Sequence, residues 1–225
     1  MTTSAPSPAK KRVAIFISGR GSNMQALVAA AEQPDFPAEI ALVLANRPDA
    51  AGLAWAKARG LNVLGMDHKR YESREHFEGQ LQSILDLSRI DLVALAGFMR
   101  LMTAPFVERW YGRMINIHPS LLPSFKGLDT HQRALDAGVR IAGCTVHFVS
   151  AEMDAGPIIG QAAVPVLPGD TADAFAARVL QAEHRLYPRM LALVCANKVT
   201  ADGPTVRWQD TGNIEINQTD TLLSP

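Results

Sequence analysis

Short, continuously apolar runs alternate with helix-patterned stretches along the first hundred residues, and this alternation limits the possible folds more than any other property of the chain. Val13-Ala14-Ile15-Phe16-Ile17 is apolar at every position and stops at Ser18-Gly19. A strand with one wet face alternates polar and apolar residues, so this run predicts a strand buried on both faces. An alanine-rich helical pattern from Ser22 to Ala31 follows it. The order then repeats: strand Ile40 to Leu44, helix Ala50 to Arg59, strand Leu61 to Met66, helix Ser73 to Leu87, strand Leu92 to Ala96. Strands joined in this way need crossover connections, which place helices on both faces of a parallel sheet. The expected class is α/β: a Rossmann-like, mainly parallel central sheet flanked by helices. Beyond Phe98 the spacing is less regular. Strands are expected at Met114 to Ile117, Ile141 to Val149 and Ile158 to Val166, a long helix from Thr171 to about Cys195, and a last edge strand within Val199 to Trp208.

At 225 residues the chain can bury a sizeable core, and no repeat or low-complexity linker divides it. We expect one domain over residues 11–209, with halves of about 11–100 and 101–209, a disordered tail over 1–10 and a C-terminal tail over 210–225. The 22 basic residues balance the 22 acidic ones, so no global field draws nucleic acid or an anionic membrane. Any anionic ligand must be held locally. No apolar run approaches the length of a membrane span. Cys144 and Cys195 have neither metal-ligand spacing nor the density of a disulfide framework, which suits a reducing cytoplasm.

Three stretches carry groups suited to chemistry. Ser18-Gly19-Arg20-Gly21-Ser22-Asn23 lies between the first strand and the first helix, where free N–H groups and the helix dipole favour an anion. The stretch is not a Walker loop, and a tight turn capped by Ser22 or Asn23 is an equal alternative. Asn116-Ile117-His118-Pro119 closes an apolar run, so the amide and the imidazole project to one side of a strand end. His147 to Pro157 sets Glu152 and Asp154 in a turn between two expected strands. A carboxylate beside an imidazole favours the charged ring, and that would make His118 a proton donor. Asp154 also reads as a turn former before Gly156-Pro157. His131 reads as a first-turn surface residue of a short helix begun by Asp129 or Thr130, and Glu183 and His184 as surface residues of the long helix. His118, His131 and His147 lack the companions of a zinc motif, so no metal is expected.

Five stretches, taken in order, resemble the phosphoribosylglycinamide formyltransferase family. They are Ile17 to Asn23, Ala96-Gly97-Phe98-Met99-Arg100, Asn116 to Pro123, Gly127 to His131, and Val146 to Ile158. The resemblance runs from about residue 12 to about residue 200. It implies that Gly21, Ser22 and Asn23 grip the phosphate of glycinamide ribonucleotide, with Glu183 at its ribose. It further implies that Arg74 and Met99, Arg100, Leu101 and Met102 border the folate pocket together with Asn116. Asn116, His118 and Asp154 match the catalytic trio.

The co-substrate implied is 10-formyltetrahydrofolate, without a metal. Small-molecule substrates are expected, with no nucleic acid or membrane partner, and a monomer or homodimer as the state. The glycinamide amine would attack the formyl carbon while Asn116 and protonated His118 stabilise the charge on its oxygen. One such donor is typically worth about 2.7 to 4 kcal/mol of barrier. Formyltetrahydrofolate deformylases resemble the chain's catalytic half but carry an N-terminal domain, whereas only about ten residues precede the first strand here. Methionyl-tRNA formyltransferases share the Asn-x-His pattern but pair it with a basic surface. A non-catalytic nucleotide-binding module would need the Gly21 loop and not the trio.

Overall fold

The computed structural model describes residues 9–209 and 223–224. Its centre is an eight-stranded sheet in the order β10-β7-β6-β5-β4-β1-β2-β3. The strands are β1 (Lys11–Ile17), β2 (Ala38–Ala45), β3 (Val63–Gly65), β4 (Leu92–Leu95), β5 (Met114–His118), β6 (Ile141–Phe148), β7 (Ile158–Pro165) and β10 (Leu223–Ser224). β1 to β5 pair in parallel, as the continuous apolar runs predict. β6, β7 and β10 extend the sheet in antiparallel fashion from β5.

The pleat sorts the apolar runs into two cores. On β1, Val13, Ile15 and Ile17 face one cluster, shared with Met24 and Leu27 of α1 (Ser22–Ala31), Leu53 and Ala56 of α2 (Ala51–Ala58), and the buried stripe of α6 (Ala172–Cys195). Ala14 and Phe16 face the other, built on Phe77, Leu81 and Leu85 of α3 (Arg74–Leu87) and on Phe106 of α4 (Ala104–Arg109), with Trp110 just beyond it. Helices therefore cover both faces of the sheet. Ser73 and Thr171 cap α3 and α6 by accepting the N–H groups of His76 and Ala174. In α6 the apolar stripe recurs at intervals of three and four residues, through Phe175, Val179, Ala182, Leu186, Met190 and Val194.

The structure corrects the C-terminal reading. Val199 to Trp208 is not one edge strand but a hairpin, β8 (Val199–Asp202) and β9 (Thr205–Trp208), in a sheet of its own. The helix α4 was not foreseen. Residues 1–8 of the expected first tail lie outside the described residues, as does the expected second tail except for β10, whose two residues pair with Gln161 and Ala162 on the edge of β7.

Tyr187 ties the long helix to the sheet. It is fully buried, and its hydroxyl lies 2.9 Å from the Leu95 carbonyl and 3.2 Å from that of Ile115. One hydroxyl hydrogen serves two acceptors, on the strands that border the site. Tyr187→Phe is expected to lower unfolding stability by about 1 to 3 kcal/mol while leaving the fold intact, as urea denaturation with circular dichroism can measure.

Candidate active site

Asn116 and His118 occupy the end of β5, whose neighbours differ in direction, β4 parallel and β6 antiparallel. The β5–β6 ladder sets Asn116 opposite His147 and His118 opposite Thr145. Directly paired residues share a face of the sheet, so these four side chains stand together on the side that carries Met114. Met114 is the only β5 residue of the second apolar cluster, and no residue of β6 belongs to it. Polar side chains take over where that apolar cover ends.

His118 is 5% exposed. Its Nε2–H donates to the Phe125 carbonyl at 3.0 Å, and its Nδ1 faces Asp154 Oδ2 at 3.4 Å. Both nitrogens face acceptors, and only a doubly protonated ring donates to both. His147 is enclosed further. Its Nδ1 lies 2.8 Å from the Phe148 carbonyl, and its Nε2 lies 3.2 Å from Asn116 Nδ2 and 4.0 Å from Asp154 Oδ1. Burial pushes its pKa below the usual histidine value, against the Phe148 carbonyl and Asp154 and with the help of His118.

Asp154 reaches this pair from the turn between β6 and β7. Its φ of 51° is left-handed, which an aspartate tolerates better than most residues. Its Oδ2 also accepts the Gly127 N–H at 2.8 Å. One carboxylate thus joins two loops to the end of β5. Gly156 permits that turn, because a Cβ there would lie 1.8 Å from the Phe148 carbonyl oxygen.

A cavity of about 520 Å³ opens at the C-terminal ends of β1 and β4, lined by residues 18–23 with Asn46, Arg47, His68, Gly97 and Met99. The strand order reverses between β1 and β4, which is where open α/β sheets part to admit ligands. Gly21, at φ 70°, is the N-cap of α1, and no side chain caps this helix. Its first N–H groups are open donors for an anion, and the alternative of a Ser22 or Asn23 cap does not hold. Asn23 instead donates Nδ2–H to Glu183 Oε2 at 2.6 Å, leaving its own Oδ1 buried without a partner. Glu183 is 6% exposed, not a surface residue. Burial raises its carboxyl pKa, opposed by the Asn23 bond. Its place in the buried stripe of α6, four residues from Val179 and four from Tyr187, was a readable sign of this.

The trio does not line the cavity; it stands at the end of the adjacent strand, since Leu95 pairs with Asn116. Met99 and Leu101 are exposed, Met102 packs on the second cluster, and Arg100 lies 5.0 Å over the Phe77 ring with its Nε unpartnered. Arg74 opens α3, exposed, with no hydrogen bond or ion pair to the other site residues. His131 is not a surface residue either: it is half-buried, edge-on to Phe175 at 5.6 Å, with Nε2 sequestered. His147, Asn46 and His68 are site residues that the sequence reading did not assign. Among the described residues no group of three His, Cys, Asp or Glu side chains is placed to hold a metal.

Residues 11–191 match the family model for formyl transferases. The chain belongs to the formyl transferase family. It is 41% identical to the phosphoribosylglycinamide formyltransferase of Escherichia coli strain K12 over 180 residues, 80% of this chain and 85% of that one. The trifunctional purine biosynthetic protein adenosine-3 of Gallus gallus is 48% identical over 190 residues, 84% of this chain but 19% of that protein. The chain thus spans about a fifth of such relatives. The crystal structure of a glycinamide ribonucleotide transformylase from Symbiobacterium toebii superposes with a TM-score of 0.86 at 44% identity, covering 89% of this chain and 95% of that one. The resemblance read from the five stretches and the mainly parallel α/β fold are both borne out.

In this formyl transferase Glu183 carries a pH signature. A carboxyl with a raised folded pKa favours folding below its ordinary value of 4.5, and that contribution is lost as pH rises through the folded value. Stability from urea unfolding is expected to fall less steeply between pH 4 and 8 in Glu183→Gln than in the parent chain. Parallel profiles would count against a proton-binding Glu183.

Proposed function

We propose that the chain transfers the formyl group of 10-formyltetrahydrofolate to the amine of glycinamide ribonucleotide, giving formylglycinamide ribonucleotide and tetrahydrofolate in purine biosynthesis. The observation that carries this reading is the meeting of Asn116, His118 and Asp154 one strand away from an anion-ready loop. The loop N–H groups from Gly21 to Asn23 take the substrate phosphate, and Glu183 the ribose. The folate lies along Met99 to Met102 and Arg74. Residues 11–100 supply most of the ribonucleotide site and residues 101–209 the chemistry. The free thiols of Cys144 and Cys195 support the cytoplasm as its compartment, with a monomer or homodimer as its state.

The amine nitrogen attacks the formyl carbon, charge gathers on the formyl oxygen, the bond from that carbon to the folate nitrogen breaks, and the amine proton passes to the departing nitrogen. An amine with a pKa of roughly 7.7 to 8.0 is partly neutral at physiological pH, so no strong base is required. Asn116 Nδ2–H and the His118 ring stabilise the oxyanion, and Asp154 complements the charged ring. The Phe125 carbonyl, now the acceptor for His118 Nε2–H, gives way to that oxyanion. Holding both substrates together contributes as well, up to roughly 7 to 11 kcal/mol in favourable cases.

The purified protein is expected to release tetrahydrofolate from 10-formyltetrahydrofolate only when glycinamide ribonucleotide is present. Equal release without it would establish the deformylase reading instead. His118→Ala and Asp154→Asn should each lower turnover by about a hundredfold or more with ribonucleotide binding kept, and near-normal turnover in both would remove the assigned roles. Gly21→Val should weaken ribonucleotide binding far more than folate binding, because a side chain closes the approach to the loop N–H groups. Calorimetric titration with each substrate separates these outcomes.

A further inference from the structure

His147 belongs to no catalytic assignment made above, yet it is the only side chain that holds Asn116 among the described residues. Its hydrogen bonds determine its tautomer. The Phe148 carbonyl can only accept, so Nδ1, 2.8 Å away, carries a proton. The ring is 2% exposed, and a second proton would place a cation in an enclosed site. Nε2 of the neutral ring is therefore a lone-pair acceptor, and the group 3.2 Å from it is the Asn116 amide nitrogen. An amide side chain can present its oxygen or its nitrogen in either of two orientations related by a flip. Only one of them donates to a lone pair, so His147 removes the other.

We infer that His147 is a positioning residue: as the neutral Nδ1–H tautomer it fixes the flip of the Asn116 amide, so that the second Nδ2–H stands ready for the formyl oxygen. In the flipped state an amide oxygen would face the developing oxyanion, replacing attraction with repulsion. Ladder register makes this possible, because Asn116 and His147 are direct partners across β5 and β6. Asp154 Oδ1, 4.0 Å from Nε2, marks the alternative: a ring protonated on Nε2 would turn toward the carboxylate and release the amide. His147 thus acts through Asn116 and touches no reacting atom.

The inference rests on the formyl-transfer reading, and a double-mutant cycle with its own control separates the two. His147→Leu, which has no acceptor, is expected to lower kcat about thirtyfold or more with the KM of both substrates within about threefold, and His147→Gln, whose amide oxygen can accept, to recover most of the loss. In an Asn116→Ala background His147→Leu should cost less than about threefold further. Additive losses in the cycle, with active parent protein, would overturn the positioning role; a parent protein without ribonucleotide-dependent transfer would overturn the functional reading instead. Nitrogen-15 NMR of the histidine rings in the intact chain provides a readout independent of activity. A protonated Nδ1 and an unprotonated Nε2 at His147 are expected near pH 7.5, and the opposite tautomer or a doubly protonated ring would refute the inference.

Discussion

The change of direction at β5 is the constraint on which the site depends. Up to that strand every neighbour is parallel, so strand ends gather along one edge of the sheet and leave a crevice where the order reverses between β1 and β4. β6 then runs the other way, so its side chains meet those of β5 as direct cross-strand pairs. A parallel β6 would have required another crossover helix. Instead β6 and β7 are joined by the loop of residues 149–157, and that loop can carry Asp154 back to the end of β5. Anion-ready loop, amide, imidazole and carboxylate come together because parallel and antiparallel pairing meet on one strand.

Much of this was legible in the chain. Strands buried on both faces must be apolar throughout, so β1, β2 and β4 stood out from their surroundings and the helices between them followed from period and caps. Ser73 and Thr171 marked the starts of α3 and α6 to within a residue. The hairpin of β8 and β9 was hidden by the continuity of the run from Val199 to Trp208, although Asp202-Gly203 is a recognised turn signal. The six-residue α4 is too short to display a helical period. Asn116 and His118 were readable as a pair because they are local. Their relation to His147 was not, since cross-strand register is a long-range property and one residue of slip turns every side chain to the opposite face.

Burial explains why the polar groups of the site are arranged as they are. Asn23 and Glu183 meet inside the contact between α1 and α6, where an unpartnered charge is costly, and the raised carboxyl pKa of Glu183 expresses that cost. His118 and His147 stand close to one carboxylate but not in equal positions. His118 is 3.4 Å from Asp154 and His147 4.0 Å, while the Asn116 amide sits on His147. Two imidazoles so close cannot both hold a positive charge cheaply. The structure divides the work: one ring faces acceptors on both nitrogens, and the other keeps a lone pair that orients an amide.

The loops around this centre are held in part by the groups proposed to perform the chemistry, beside bonds such as those of Ser120 to the Ser124 carbonyl and Arg133 to the Lys126 and Leu128 carbonyls. Asp154 Oδ2 takes the Gly127 N–H, and His118 Nε2–H is given to the Phe125 carbonyl. In the proposed reaction the second of these bonds occupies the donor that the formyl oxygen must address. There the formyl oxygen replaces the Phe125 carbonyl oxygen at His118, while the Gly127 bond can hold the carboxylate in place. An acceptor already seated on the proton donor keeps the imidazole oriented before substrate arrives. Preorganised donors are a large part of electrostatic catalysis, and in the proposed reaction the peptide carbonyl of Phe125 is what keeps this one in place.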